Sequence, residues 1–241
     1  MRLNKKMLAV TAILAVGILA GCGGAASSAS TASSVASSAP AASSEAASSE
    51  AAVETDGVKP IETDETIDAL QNGDSSYKVS ADITNVSDDS VTLTVYSYDA
   101  YNEEDIKGLQ VGDVIFAHDQ QTAKLEAVTI EKLEKDEYDN YTINGGIEEG
   151  GIDLWNFHGV YRTDSMDDYP VYYKVGEVTL PLAEDVTLED SSADPQASVQ
   201  QSTGMADVAR DLADSNNWTV YNTTVFVQDG HVFDIQRVWV P

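Results

Sequence analysis

The sequence predicts a mainly β protein, a small antiparallel barrel or sandwich with a second β-rich half and one or two short helices. Three observations predict it. From Tyr77 onward apolar and polar residues alternate with period two, as strands with one buried face require. Asp229-Gly230 separates two β-branched and aromatic runs, and Asp-Gly supplies the positive backbone angles of a tight hairpin turn. Helical periodicity is confined to two short windows.

In chain order, residues 63–70 fit a short helix with Thr63 as N-cap and Gly73 near its end. Tyr77, Val79, Ala81 and Ile83 alternate with polar residues, Ser87-Asp88-Asp89-Ser90 turns the chain, and Val91, Leu93 and Val95 resume the pattern. These two strands form a hairpin. A helical turn is expected around Glu103–Leu109. Val111-Gly112-Asp113 then feeds a strand at Val114-Ile115-Phe116, and a fourth, long strand covers 122–133. This order of hairpin, helical turn and two further strands resembles small OB- or SH3-like barrels. The resemblance implies a barrel in the first half and no particular activity.

The second half opens with Tyr141-Thr142-Ile143 and the paired glycines Gly145-Gly146 and Gly150-Gly151, which mark turns or a loop. Strands are expected at 152–157, 158–163, 171–175, 177–182 and 185–188, with a polar loop over 190–202. Met205, Val208, Ala209 and Leu212 stand at helical spacing, so 204–214 reads as an amphipathic helix. A last hairpin, 218–227 and 231–240, carries the chain to its end inside a sheet. One elaborated barrel over 57–241 and two lobes, 76–137 and 138–241, fit this pattern equally well.

Ahead of the globular part, Met1–Lys6 is basic and Met7–Ala20 is apolar but for Thr11 and Gly17. As a helix that run spans roughly 21 Å, short of the ~30 Å hydrocarbon core, so it suits a signal peptide better than a membrane span. Leu19-Ala20-Gly21-Cys22 closes it and resembles the lipobox of bacterial lipoproteins; the similarity covers the leader only. It implies that residues 1–21 are removed and that Cys22 carries a diacylglyceryl group. Each buried methylene then contributes about 0.8 kcal/mol to membrane attachment. The expected address is the extracytoplasmic face of a bacterial cell membrane, reached through this lipid anchor. Residues 22–56 are Ala/Ser-rich and nearly without large apolar side chains, and are expected to be a disordered tether. As a coil it would span roughly 30–35 Å, and fully extended about 110 Å. The globular part resembles exported lipoprotein domains that carry no assigned activity.

Charge narrows the partners. The chain has 41 acidic residues against 13 basic ones and a formal charge of −28, with no basic stripe, so nucleic acid is not an expected partner. Cys22 is the one cysteine, which excludes internal disulfides and Cys-based metal clusters. His118, His158 and His231 match no zinc-ligand spacing, and there is no Gly-x-Ser-x-Gly and no phosphate-binding glycine loop. No cofactor is expected. Calcium is the ion the carboxylates suit best, although no EF-hand loop is present.

The most suggestive segment is aromatic and acidic. Trp155, Phe157, Tyr161, Tyr169, Tyr172 and Tyr173 stand close together in the sequence, beside Asp164, Asp167 and Asp168. Aromatic faces beside carboxylates hold sugars, peptides or cationic groups, which makes Trp155, Tyr161, Tyr169, Tyr173, Asp167 and Asp168 the ligand-binding candidates. The competing reading packs most of these rings into a core. The expectation is a non-enzymatic binding or interaction module for a wall glycan, a peptide or an envelope protein. The alternatives are a glycan hydrolase using carboxylates from 148–190 and a structural envelope subunit.

Overall fold

A computed structural model describes residues 56–240, except 166, 168, 194, 195 and 197. The leader, Cys22 and all but the end of the tether lie outside the described residues. The fold is mainly β, with several antiparallel sheets and a few short helices.

Helix α1 (Ile67–Asn72) begins later than the sequence reading placed it. Thr66 is its N-cap, accepting the Ala69 N–H at 3.1 Å, while Thr63 turns to Glu65. Strands β1 (Ser76–Val86) and β2 (Ser90–Tyr98) form the predicted hairpin. There follow β3 (Ala100–Asn102), α2 (Glu103–Lys107), β4 (Val114–His118) and β5 (Leu125–Thr129). The long strand expected over 122–133 is broken. Ile130 N–H turns to the Asp113 carbonyl at 2.9 Å, and the Asn144 side-chain oxygen takes Glu131 and Lys132 N–H at 2.8 and 3.0 Å. Those donors are withdrawn from the ladder, so β6 (Leu133–Lys135) starts a different sheet.

Next come β7 (Tyr141–Ile143), β8 (Ile152–Phe157) and β9 (Val160–Thr163), the last two joined through His158 and Gly159 at positive φ. The three strands expected between 171 and 188 are one, β10 (Tyr172–Asp190). Gly176 and Pro181 look like breakers in the sequence. In the fold Gly176 sits at a register shift, and Pro181 stands opposite Ser90 at the end of its ladder, where a missing N–H is tolerated. Part of the expected polar loop is β11 (Gln200–Thr203), followed by α3 (Met205–Asp214), β12 (Thr223–Gln228) and β13 (His231–Arg237). The final strand stops at Arg237 and does not run on to 240.

Five strands close a ring in the order β1–β2–β10–β13–β12. Only β10–β13 is parallel, and bent β10 changes partner from β2 to β13 along its length. Such a ring, with α3 ahead of its fourth strand, is an OB-type barrel. The sequence reading placed that barrel in the first half; it is built from residues 76–98 and 172–237. Alternation shows that a strand has a buried face but does not name its partners. Val79, Leu93, Val95, Leu180, Val225 and Ile235 fill the interior, each contributing about 1.5–3 kcal/mol over exposure. Leu70 of α1 and Val208, Ala209 and Leu212 of α3 belong to the same core.

Residues 99–171 are an insert between the second and third barrel strands. Their antiparallel sheet runs β3–β9–β8–β7–β6, with β4–β5 as a separate ribbon to which Val58 adds a parallel bridge. A second core of Tyr101, Ile106, Ile115, Ile130, Ile143, Leu154 and Tyr161 lies within it. Residue 137, where the sequence allowed a division into lobes, falls in the β6–β7 turn inside this insert.

Candidate functional site

Barrel strand β2 points Val91, Leu93 and Val95 inward, so alternation turns Tyr96 and Tyr98 outward. Across the ladder Tyr98 opposes Tyr172 of β10, and Tyr96 opposes Ser80 of β1. The rings of Tyr98 and Tyr172 meet edge to face at 5.9 Å. Tyr172 meets Tyr221 at 5.8 Å, and Tyr221 meets Tyr169 at 5.5 Å, both again edge to face. This is the arrangement ring quadrupoles favour. Four tyrosines thus form a row along the outer face of the barrel, Tyr169 joining it from the end of the segment that precedes β10, with Tyr98 39% and Tyr221 53% exposed.

Beside the row runs a groove of about 620 Å³, walled by Tyr96, Tyr98 and Tyr172 on the barrel and by the segment 61–65. Ser80, Ser97 and Thr224 supply neutral polar groups; Lys78, Arg162, Glu62, Asp64 and Glu65 supply charge. The Tyr96 hydroxyl donates to Asp82 at 2.8 Å. Burial, and then Asp82, push its pKa up to about 12, so it stays a phenol at any physiological pH. Burial also raises Tyr172, against the opposing effect of its hydrogen bond with Ser80. Apolar ring faces beside hydroxyls can take the C–H and O–H groups of a sugar ring.

No protein-family model, curated protein or solved structure matches this chain. The chemistry of its surfaces is what speaks to its role.

The sequence-predicted residues divide. Tyr169 ends the tyrosine row. Trp155 is 40% exposed on β8, directly opposite Arg162. Tyr161 is a correction: it is fully buried against Tyr141 at 5.5 Å, with its hydroxyl on Asp139, and cannot offer its ring to a ligand. Burial, then Asp139, push its pKa up to about 12. Tyr173 is also a correction, being buried and stacked on His118 at 4.0 Å. Asp167 is exposed in a turn after β9, and Asp168 lies outside the described residues. Tyr96, Tyr98 and Tyr221 were missed. For the first two a signal existed, since outward aromatics on a strand with a clear buried face have no packing reason to be there. Tyr221 has none, because it reaches the row from a loop distant in sequence.

A second cavity, about 390 Å³, lies in the insert and is lined by His118, Glu126, Asp153, Thr163, Asp164 and the glycine-rich loop. Buried Asp99 accepts both His118 N–H and His118 Nδ1, each at 2.6 Å, so Nε2 is the ring nitrogen that Asp99 leaves unengaged. Asp153 is tied to Thr142 and to the Ile147 N–H, each at 3.0 Å, and Asp164 stands 3.6 Å from the Arg162 guanidinium. Among the described residues no group of three or more His, Cys, Asp or Glu is arranged to hold a metal.

Proposed function

We propose that this chain is a lipid-anchored binding module on the extracytoplasmic face of a bacterial cell membrane, and that its barrel groove takes an envelope glycan. The single observation that carries the reading is the row of tyrosines centred on Tyr98 of β2 and Tyr172 of β10, with Tyr169 and Tyr221 added from outside those strands. That face of OB-type barrels is where oligonucleotides and oligosaccharides bind, an argument by analogy of fold. Net charge of −28 favours the second class, since it repels a phosphate backbone and is indifferent to a neutral sugar.

Titration calorimetry of the full chain against purified envelope polysaccharides tests this. Tyr98→Ala and Tyr172→Ala should each weaken binding about tenfold or more, the effect of truncating an aromatic anchor. Unchanged affinity in both variants, or no polysaccharide bound by the wild type, rejects the groove. The anchor has its own test: fatty-acid labelling should be present in the wild type and absent in Cys22→Ala.

A second reading, a carboxylate-dependent glycan hydrolase, draws support from Asp153 and Asp164 lining one cavity with His118. Release of reducing ends from wall glycan that Asp164→Asn abolishes would favour it; no release by the wild type would remove it.

A further inference from the structure

We infer that the ligand is an extended neutral glycan chain, long enough to run off the barrel onto the insert, where Trp155 and Phe157 form a second aromatic station. This rests on the glycan reading above. Two observations carry it further. The first is sheet register. Ala100 of β3 stands directly opposite Arg162 of β9, and Arg162 directly opposite Trp155 of β8. Directly opposed residues share a face, so all three look out from the same side of the insert's sheet. Phe157 shares that side, two residues beyond Trp155, and the Arg162 guanidinium lies over its ring at 4.9 Å. Tyr101, Tyr161 and Leu154, on the opposite side, are the insert's core.

Ala100 and Arg162 also line the groove that holds Tyr98 and Tyr172. The groove therefore reaches, through Ala100 and Arg162, the face of the insert's sheet that carries Trp155 and Phe157. Two strand spacings put Trp155 about 10 Å beyond Ala100, more than one sugar ring can bridge from Tyr98. Trp155 and Phe157 are 40% and 57% exposed, on a strand whose alternate residues Leu154 and Asn156 face inward. An exposed Trp–Phe pair flanking a stacked guanidinium has the form of a platform for sugar rings.

The second observation is charge. Glu62, Asp64 and Glu65 outnumber Lys78 and Arg162 around the groove, Arg162 is already ion-paired with Asp164, and the whole molecule is strongly acidic. A polymer rich in phosphate or carboxylate is repelled, so among glycans the neutral chain is favoured over the acidic one.

Chain length is the test, with fully N-acetylated, uncharged chito-oligosaccharides of two to eight units as the probe, titrated into the full chain in detergent. In the wild type the Kd should tighten by about tenfold or more from the shortest to the longest, since a second station adds at least 1.4 kcal/mol. Trp155→Ala, an exposed site whose loss leaves both cores intact, should keep the affinity for the shortest ligand and lose the gain with length. Tyr172→Ala should weaken every length. Equal affinity at all lengths, or a Trp155→Ala curve that follows the wild type, overturns the extended site while leaving the barrel groove standing. Failure of every chito-oligosaccharide where an acidic envelope polymer binds overturns the neutral class. Failure of all polymers overturns the groove itself.

Discussion

At the scale of single residues, Asp139 concentrates more interactions than its place in a surface turn suggests. It adopts φ 70° and faces Lys135, the Lys107 ammonium at 3.3 Å, the Tyr161 hydroxyl at 3.1 Å and the Asn156 amide at 3.4 Å. Lys135 foremost, then Tyr161 and Lys107, outweigh desolvation and hold its carboxyl at about 2, below the ordinary 3.8. A depressed folded pKa contributes stability that is present above 3.8 and is lost as pH falls through about 2. Carboxyl-carbon NMR should therefore give a midpoint near 2, and Lys135→Ala should move it up toward 3.8. A wild-type midpoint already at 3.8 would mean that the cluster does not form. None of this was readable from the sequence, because Lys107 and Tyr161 reach Asp139 only once α2, β9 and the β6–β7 turn are packed together.

At the scale of elements, the β12–β13 hairpin is the best case of local legibility. Asp229 and Gly230 take φ 52° and 73°, as an Asp-Gly turn between alternating runs requires. A tertiary role is added to the local one: a Cβ on Gly230 would lie 2.7 Å from the Gln71 carbonyl oxygen at the end of α1. Gly230→Ala should accordingly lower stability by about 1–3 kcal/mol, through backbone strain compounded by displacement of α1. Denaturant unfolding measures this, and a loss below a few tenths would show that helix and turn are not in contact. Hairpins and the amphipathic α3 were legible because their signals are local. The joining of β10 and the presence of all-polar β11 were not, since each depends on strands far away in sequence. The site failed in the same way. Aromatic density drew Tyr161 and Tyr173 into the candidate set, but β8 inverts the usual pattern by exposing Trp155 and Phe157 and turning Asn156 inward, so alternation could not say which rings face solvent.

At the scale of the whole molecule, the barrel and its insert join across a single ladder step. Tyr98 and Tyr172, the last and first residues of their barrel strands, are direct antiparallel partners. A long segment hung between two paired residues adds little closure penalty, because that penalty grows only as the logarithm of length. Residues 99–171 should then be replaceable by Asn-Gly, the two-residue connection that antiparallel partners accept. The shortened chain keeps all five ring strands, α1, α3 and the entire first core. It loses the stacking of His118 on Tyr173, so Tyr173→Thr belongs with the excision to avoid a newly bared ring. Cooperative thermal unfolding with β-type circular dichroism is expected, at a lower Tm than the parent. A broad transition with dye binding would mean that the barrel needs its insert to fold. If it folds, this barrel keeps Tyr98, Tyr172 and Tyr221 but loses Tyr169 and the Ala100, Arg162 and Pro170 wall of the groove. It should therefore bind the shortest N-acetylated chito-oligosaccharide more weakly than the parent and, like Trp155→Ala, gain nothing from longer ones.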